Sequence, residues 1–397
     1  MRRNYATLDG MRGLAAVLVF ALHAPSYFGD LTHNDIYLAV DLFFVLSGFV
    51  LAHAYGQQMD EGMSPWRFMA VRLVRLYPLY IAGLALGLVT EVIALRAGHA
   101  AMAPGQIAMA GALGAAMLPM AGARYDLLYP TNLPCWSLLF ELLANFAMAL
   151  AWRRLSNRTL ATIIGVSLIG LVWVIFTQSG PGGSSGANGG FTWSTFMTGV
   201  FRVGFSFFLG ILIYRKRDLV KISLSPWLAL GVVAFALMIE LPDRLRTWYD
   251  LACIVVVFPT VIALAVQTEP AVGARVFRFV GLTSYAVYVL HYPIQRLVRG
   301  FVLKVFHQDV ASYAPWSGVG LAVFMLWLCW TVDKLYDTPV RSWLAARLKG
   351  WKPVRDGRRL IAQEAHDLAA RVRRLSLVDD IAGRGPSPVA VEEEVQG

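Results

Sequence analysis

Long runs of apolar residues are the feature that most restricts how this chain can fold. There are eleven of them, and their lengths are close to the roughly 20 helical residues that cross a hydrocarbon core about 30 Å thick. Hydrophobic residues make up 57% of the 397 positions and charged residues only 15%, which leaves too little polar surface for a water-soluble domain. The sequence therefore predicts an all-α protein, a polytopic bundle of membrane helices. The runs cover residues 13–28, 36–55, 77–95, 106–120, 136–151, 159–177, 196–214, 226–241, 249–267, 280–302 and 316–335.

The distribution of basic residues indicates how many of these runs cross the membrane. The run 106–120 is the weakest candidate, because it is short, rich in small residues and bounded by prolines. If this run does not cross and the N-terminus is cytoplasmic, the basic clusters 67–75, 153–158 and 215–221 all fall in inner loops, where Lys and Arg are enriched. If it did cross, most of this charge would lie outside. We therefore predict ten spans with both termini inside, and 106–120 as a re-entrant or interfacial segment.

Composition divides the chain into a membrane domain, residues 1–345, and a basic tail, residues 346–397. The first apolar run has no small-residue cleavage site after it, so we interpret it as a mature helix. In the tail, apolar residues recur at helical spacing between arginines, which predicts an amphipathic segment on the inner membrane surface with a disordered end. The net charge of +10 fits loops beside anionic lipid, so no nucleic-acid partner is expected.

Ionisable residues inside apolar runs are costly and mark candidate functional sites. In the predicted topology, His23, Asp41, Glu141 and Arg202 share one layer in the outer half of the bilayer. His23 and Glu141 would each need a buried partner, which favours a functional role for both. Asp41 and Arg202 form either a structural ion pair or part of the reactive site, and the sequence leaves both alternatives open.

The inner ends of the runs carry a different chemistry. Arg12, His53, Arg72, Arg75 and Arg278 are all basic, and arginine offers planar, permanently charged donors that suit phosphate oxygens. Arg72 and Arg75 are three residues apart and share a helical face. Alternatively, single arginines at helix ends extend to lipid headgroups. Arg12 and His23 lie on one face about 16 Å apart along the axis, so a phosphorylated carrier entering from the cytoplasm could reach the outer layer.

Three other polar residues receive structural interpretations. His291 in "YAVYVLHYPIQ" is expected to organise packing or a hydrogen bond, and Ser47 in "VLSGF" is expected to be a helix-packing residue. Cys135 is a weak candidate for a covalent acyl carrier, because no activating base is adjacent to it in the sequence.

Six segments of the sequence together resemble the acyltransferase-3 family of bacterial membrane proteins, in the order in which that family has them. The resemblance covers roughly residues 5–345. The segments are "LDGMRGLAAVLVFALHA" from Leu8, "VDLFFVLSGFVLA" from Val40, "RLVRLYPLY" from Arg72, "PCWSLLFEL" from Pro134, "FRVGFSFFLGILIY" from Phe201 and "TSYAVYVLHYPI" from Thr283.

The resemblance implies about ten spans and the transfer of acyl groups, often acetyl, from cytoplasmic coenzyme A to hydroxyls of surface glycans and related sugars. The family's arginine and histidine of the first helix correspond to Arg12 and His23, its paired arginines to Arg72 and Arg75, and its carboxylate after the Trp-Ser-Leu string to Glu141. These are the residues that the depth argument selects independently.

These expectations give a mechanism. Arg12, Arg72 and Arg75 would hold the phosphates of acetyl-coenzyme A or another acyl-coenzyme A, without a metal. His23, oriented or charge-balanced by Glu141, would act as general base on a sugar hydroxyl. Asp41, Trp136 and Arg202 would contact the acceptor or the developing oxyanion, and the sequence does not choose among them.

The expected partners are membrane lipids and a carbohydrate or glycolipid acceptor, and the expected location is the bacterial inner membrane. The competing hypothesis is a glycan or small-molecule transporter, because histidines, carboxylates and arginines in spans also build proton relays. A transporter would more naturally show two internally similar halves, and the sequence shows no such repeat.

Overall fold

A computed structural model of the chain describes residues 5–29, 34–99, 101–122, 124–177, 186–270 and 272–350. These residues form a helical bundle, and residues 351–397 of the predicted tail, 346–397, lie outside them. Two helices continue into the next through π-helical segments, Cys253–Val257 and Asp333–Asp337. The α-helices are α1 Ala6–His23, α2 Pro25–Phe28, α3 Ala39–Asp60, α4 Pro65–Arg96, α5 Pro104–Ala115, α6 Trp136–Ala151, α7 Asn157–Thr177, α8 Phe196–Lys216, α9 Pro226–Met238, α10 Asp243–Ala252, α11 Phe258–Ala265, α12 Ala274–Phe306, α13 Trp316–Val332 and α14 Thr338–Gly350.

The prediction of an all-α polytopic membrane protein is confirmed. Each of the eleven apolar runs contains a helix, and eight helices of the described part are long and apolar enough to cross a membrane. Helix α9 is shorter, with 13 residues, and α12 is long but carries polar residues along its middle. Ten spans with both ends inside therefore stay a prediction.

Helix α5 occupies the run that we expected not to span. It has 12 residues, about 18 Å of helix, which is too short to cross a hydrocarbon core alone. Pro104 stands at its first turn, and the Gln106 side chain accepts a hydrogen bond from the Ala103 backbone N–H at 3.0 Å. These features start a short helix and do not extend it.

Glycines permit the closest helix contacts of the bundle. Helix α3 packs along α8, where a Cβ atom on Gly48 would overlap the carbonyl oxygen of Phe207, and one on Gly210 would overlap that of Val45. Helix α1 packs along α12 in the same way, since a Cβ on Gly281 would lie 2.5 Å from the Cβ of Asp9. Small residues at such positions let backbones approach where lipid supplies no hydrophobic driving force.

Candidate functional site

A cavity of about 350 Å³ lies between α1, α3, α4, α6 and α12. Its polar lining comes from residues far apart in the sequence, and it includes four of the eight predicted site residues. Aromatic side chains and apolar residues of α3 form much of the rest of the wall. The predicted site residues in the lining are Arg12, Arg72, Arg75 and Glu141.

Glu141 of α6 is held by two other helices. Its Oε1 accepts a hydrogen bond from Arg72 of α4 at 3.0 Å and one from the Ser47 hydroxyl of α3 at 2.7 Å. When the Asn145 amide is oriented with its oxygen toward Arg72, it accepts from Arg72 Nε at 3.3 Å and donates to the Glu141 carbonyl oxygen at 3.2 Å. The Arg72 guanidinium is therefore fixed in the wall of the cavity, and its charge is balanced by Glu141.

Arg12 of α1 is also held by protein groups. Its guanidinium bonds to Asp9 at 2.7 Å, to the Gly281 carbonyl oxygen at 2.9 Å and to the Ser284 hydroxyl at 3.1 Å. Arg12 and Asp9 are three residues apart on α1, so the ion pair is local. This network joins α1 to α12 beside the cavity.

Arg75 is the arginine of this cavity that the protein leaves free. Among the described residues it has no hydrogen bond and no ion pair, and it is exposed. Its charged neighbours include Arg12 and Arg72 of the same sign, and the carboxylates of Asp9 and Asp337, which make no hydrogen bond or ion pair with it. A guanidinium that no carboxylate binds directly is a strong candidate for binding an anion.

His23 does not line this cavity, and the structure corrects the prediction that Glu141 orients it. The His23 ring is half-buried, and its Nδ1 lies 2.9 Å from the Val19 carbonyl oxygen one turn earlier on α1. Because a carbonyl oxygen only accepts, Nδ1 carries the hydrogen and Nε2 keeps its lone pair. The Glu141 carboxylate is bonded to Arg72 and Ser47 instead, so the expected histidine–carboxylate couple is not formed.

Aromatic rings of α12 connect the cavity to His23. Tyr288 lines the cavity, and its ring centroid lies 6.2 Å from that of His291. The His291 ring lies 5.2 Å from the His23 ring, and Tyr292 also approaches His23, at 5.9 Å. His23 therefore lies outside the cavity and is connected to its wall through two successive ring contacts, Tyr288 to His291 and His291 to His23.

Asp41 and Arg202 form a buried ion pair. Arg202 is 1% exposed and Asp41 fully buried, with Nη2 and Oδ2 2.5 Å apart and Nε bonded to both carboxylate oxygens at 3.1 Å. Two further N–H groups of Arg202 donate to the carbonyl oxygens of Gly189 and Tyr37, each at 3.0 Å. Trp136 stacks near this guanidinium at 5.7 Å. Of the two alternatives that the sequence left open, this geometry favours the structural ion pair over acceptor binding.

Two features of the site escaped the sequence analysis. Ser47, expected to pack between helices, lines the cavity and bonds to Glu141; its partner is 94 residues away, so no local pattern marks it. Glu91 of α4 is 2% exposed and bonds to Arg296 of α12 at 2.6 Å. A carboxylate in the apolar string "GLVTEVIAL" is the same signal that marked Glu141, and it could have been found.

No cluster of three or more metal-ligating side chains occurs within the ranges that the structure describes. Cys135 is fully enclosed, and burial of this kind makes a thiol inert. The cavity thus offers arginines, a carboxylate and hydroxyls as its polar groups.

Comparison with known proteins gives two matches. A family model described as an acyltransferase domain matches residues 5–334. The chain is 39% identical over 185 residues to "Protein 2 in picA locus" of Rhizobium radiobacter, an alignment that covers 43% of this chain and 93% of that relative. No solved structure matches the chain.

Proposed function

Because the chain belongs to the acyltransferase-3 family and is a multi-pass membrane acyltransferase, we propose that it moves an acetyl group from acetyl-coenzyme A to a sugar hydroxyl. The acceptor would be a surface polysaccharide, a glycolipid or an oligosaccharide, and the enzyme would lie in a bacterial inner membrane. The observation that carries the donor assignment is the free guanidinium of Arg75 in a cavity with two further arginines.

The arginines have different roles in this proposal. Arg12 and Arg72 are anchored by protein partners and offer their guanidinium groups in fixed positions in the cavity wall, while Arg75 binds the phosphates of the donor directly. Glu141 and Ser47 hold Arg72 in place. This role replaces the prediction that Glu141 orients or charge-balances His23, because its carboxylate bonds to Arg72 and Ser47 in the cavity.

His23 is the proposed general base. Its Nδ1–H donates to the Val19 carbonyl oxygen, which leaves the Nε2 lone pair to take a proton from the acceptor hydroxyl. The hydroxyl oxygen then attacks the thioester carbonyl carbon, the carbon–sulfur bond breaks, and the proton on Nε2 passes to the departing thiolate. No covalent intermediate on the protein is needed, which suits the burial of Cys135.

The extended chain of the acyl donor would lie along α12. Ser284, Tyr285 and Tyr288 line the cavity on this helix, and His291 follows one turn after Tyr288. From Ser284, which bonds to Arg12, to His291 is about 10 Å along the helix axis. An extended chain bound by its phosphates near Arg75 could therefore place its thioester near His23.

The test is acyl transfer by the purified full chain in detergent. Labelled acetyl-coenzyme A is incubated with a panel of cell-surface glycans, and the label is located in the products. Removing a general base typically costs about 10²- to 10⁴-fold, so we expect His23→Ala to lower kcat by this range. Arg75→Ala should raise KM for the donor by about tenfold or more, as expected for a lost bond to a charged group.

Two matched variants control for general damage. Arg96→Ala removes an arginine from the other end of α4, and His99→Ala removes an exposed histidine from the turn after it. Both should behave as the unaltered protein. Full transfer by His23→Ala would remove this residue from the mechanism, and movement of glycan across vesicles without consumption of acetyl-coenzyme A would favour the transporter hypothesis.

A further inference from the structure

His291 has a hydrogen-bonding atom that nothing in the described structure uses. The residue is fully buried in α12, and its Nδ1 lies 2.9 Å from the Val287 carbonyl oxygen. Nδ1 must therefore carry the hydrogen, and Nε2 is an acceptor. Within the described ranges, Nε2 has no hydrogen-bond partner. A buried acceptor without a donor is unfavourable, so a donor from outside the protein's own side chains would stabilise it.

Three donors on α12 near His291 have other partners. The Tyr288 hydroxyl bonds to the Pro134 carbonyl oxygen at 2.9 Å and to the Ser137 hydroxyl at 2.6 Å. The Gln295 side-chain amide donates to the backbone oxygen of His23. Arg296 donates to Glu91. The donor for His291 Nε2 must therefore come from outside this set of side chains.

His23 presents the same chemistry at a short distance. The two ring centroids are 5.2 Å apart, and both rings use Nδ1 to bond a carbonyl oxygen four residues earlier on their own helix. The pair thus offers two neighbouring Nε2 acceptors, one on α1 and one on α12. A ligand with two adjacent hydroxyl donors satisfies both atoms, whereas a ligand with a single hydroxyl satisfies one.

We propose that His291 binds the acceptor by a second hydroxyl, next to the hydroxyl that His23 deprotonates, so that the substrate is a vicinal diol of a sugar ring. This inference rests on the proposed function. The attacked hydroxyl gives its proton to His23 Nε2 and its oxygen to the new ester. The neighbouring hydroxyl keeps its proton and donates it to His291 Nε2 as a hydrogen bond. The product carries the ester beside a free hydroxyl.

The position of the ester tests the inference directly. The labelled glycan from the transfer assay is analysed by NMR to locate the acylated oxygen. We expect a secondary hydroxyl whose adjoining carbon bears a free hydroxyl. Acylation at the primary hydroxyl of a hexopyranose would overturn the proposal, because the carbon next to it carries the ring oxygen and no hydroxyl.

Variants of His291 separate binding from structure. His291→Phe keeps a ring but removes the acceptor atom, and His291→Gln returns a side-chain oxygen near the position of Nε2. With the labelled glycan as acceptor, His291→Phe should lower kcat/KM for the acceptor about three- to tenfold, as expected for one neutral hydrogen bond. His291→Gln should recover much of this loss, and KM for acetyl-coenzyme A should stay unchanged in both.

A monodeoxy analogue of the same acceptor, lacking the neighbouring hydroxyl, completes the cycle. With the unaltered protein, kcat/KM for this analogue should be lower than for the full acceptor by the same factor, about three- to tenfold. With His291→Phe, the analogue and the full acceptor should have the same kcat/KM. If His291→Phe lowers kcat/KM equally for both acceptors, His291 has a purely structural role. If His291→Phe leaves the kinetics unchanged, an ordered water satisfies Nε2. Either result overturns the proposal. His99→Phe is the matched control, and thermal unfolding shows whether each variant folds.

The outcomes also separate this inference from the proposed function. Transfer that depends on His23 but is indifferent to His291 and to the second hydroxyl refutes only the inference. The absence of any transfer by the unaltered protein refutes both. If His291→Phe does not fold, His291→Gln and the monodeoxy acceptor still decide the question.

Discussion

Replacing Asp41 by Asn should destabilise the bundle more than almost any other conservative change of one side chain. Arg202 is 1% exposed, and three of its five hydrogen bonds go to the Asp41 carboxylate. Breaking a buried ion pair by removing one partner costs about 3–5 kcal/mol, because the other charge stays buried and uncompensated. Asp41→Asn should therefore lose free energy of unfolding in this range.

Replacing both partners should restore much of that stability. Asp41→Leu with Arg202→Met removes both charges, and apolar replacement of a buried pair is often neutral. The recovery should be partial here, because the carbonyl oxygens of Tyr37 and Gly189 lose a donor each, at about 1 kcal/mol per bond. The assay is unfolding in detergent, followed by the fluorescence of tryptophans such as Trp136, which lies beside the guanidinium.

The matched control is Asp309→Asn at the ion pair with Arg299. That pair is about as short, at 2.6 Å, but its side chains are 48% and 34% exposed, so the change should cost less than about 1 kcal/mol. Transfer per folded molecule should survive in the double variant of Asp41 and Arg202. An Asp41→Asn protein with unaltered stability but no transfer would refute the structural interpretation and assign this pair to the reaction.

Two further predictions concern the cavity and the helix contacts. Glu141→Gln should raise KM for acetyl-coenzyme A severalfold to tenfold, because Arg72 loses its ion pair, and it should change kcat less. Titration of the donor measures both constants. A loss of kcat as large as that of His23→Ala would contradict this prediction. Gly48→Ala should cost at least about 1–3 kcal/mol in thermal unfolding, because the new Cβ meets backbone, whereas Gly231→Ala meets nothing within 4 Å and should be neutral or stabilising.

The fold could be predicted because lipid imposes one simple rule on the sequence. A run of about 20 apolar residues can satisfy its backbone in lipid only as a helix or in a closed barrel, so run length alone locates the helices. The ends of the helices are harder to predict from the sequence. Helix α4 begins at Pro65, twelve residues before the predicted run, where the Ser64 hydroxyl caps the N-H of Arg67 at 3.2 Å. This cap lies in polar sequence, which hydrophobicity does not mark.

The arginine cavity could be predicted, but the partner of His23 could not. Depth in the bilayer follows from position along a span, and on this basis the sequence groups Arg12, Arg72 and Arg75, which the structure brings to one cavity. The same argument placed Glu141 in another layer, although its carboxylate bonds to Arg72 in that cavity. Depth contains no information on rotation about the bundle axis. His23 and Glu141 were therefore assigned to one layer and expected to pair, although the helices α3 and α4 supply the partners of Glu141 and α12 supplies the side-chain rings nearest to His23.

Helix α12 therefore joins two candidate sites that differ in chemistry. On one turn Ser284 bonds to Arg12 beside the arginine cavity, and two turns later His291 lies against His23. The proposed donor carries phosphates and a thioester, whereas the proposed acceptor carries hydroxyls, so arginines suit the first and neutral imidazoles the second. A positive charge next to His23 would disfavour its protonation and weaken it as a base. The distance between the arginines and the imidazoles is thus a requirement of the proposed reaction, and α12 fixes it through a single rigid helix.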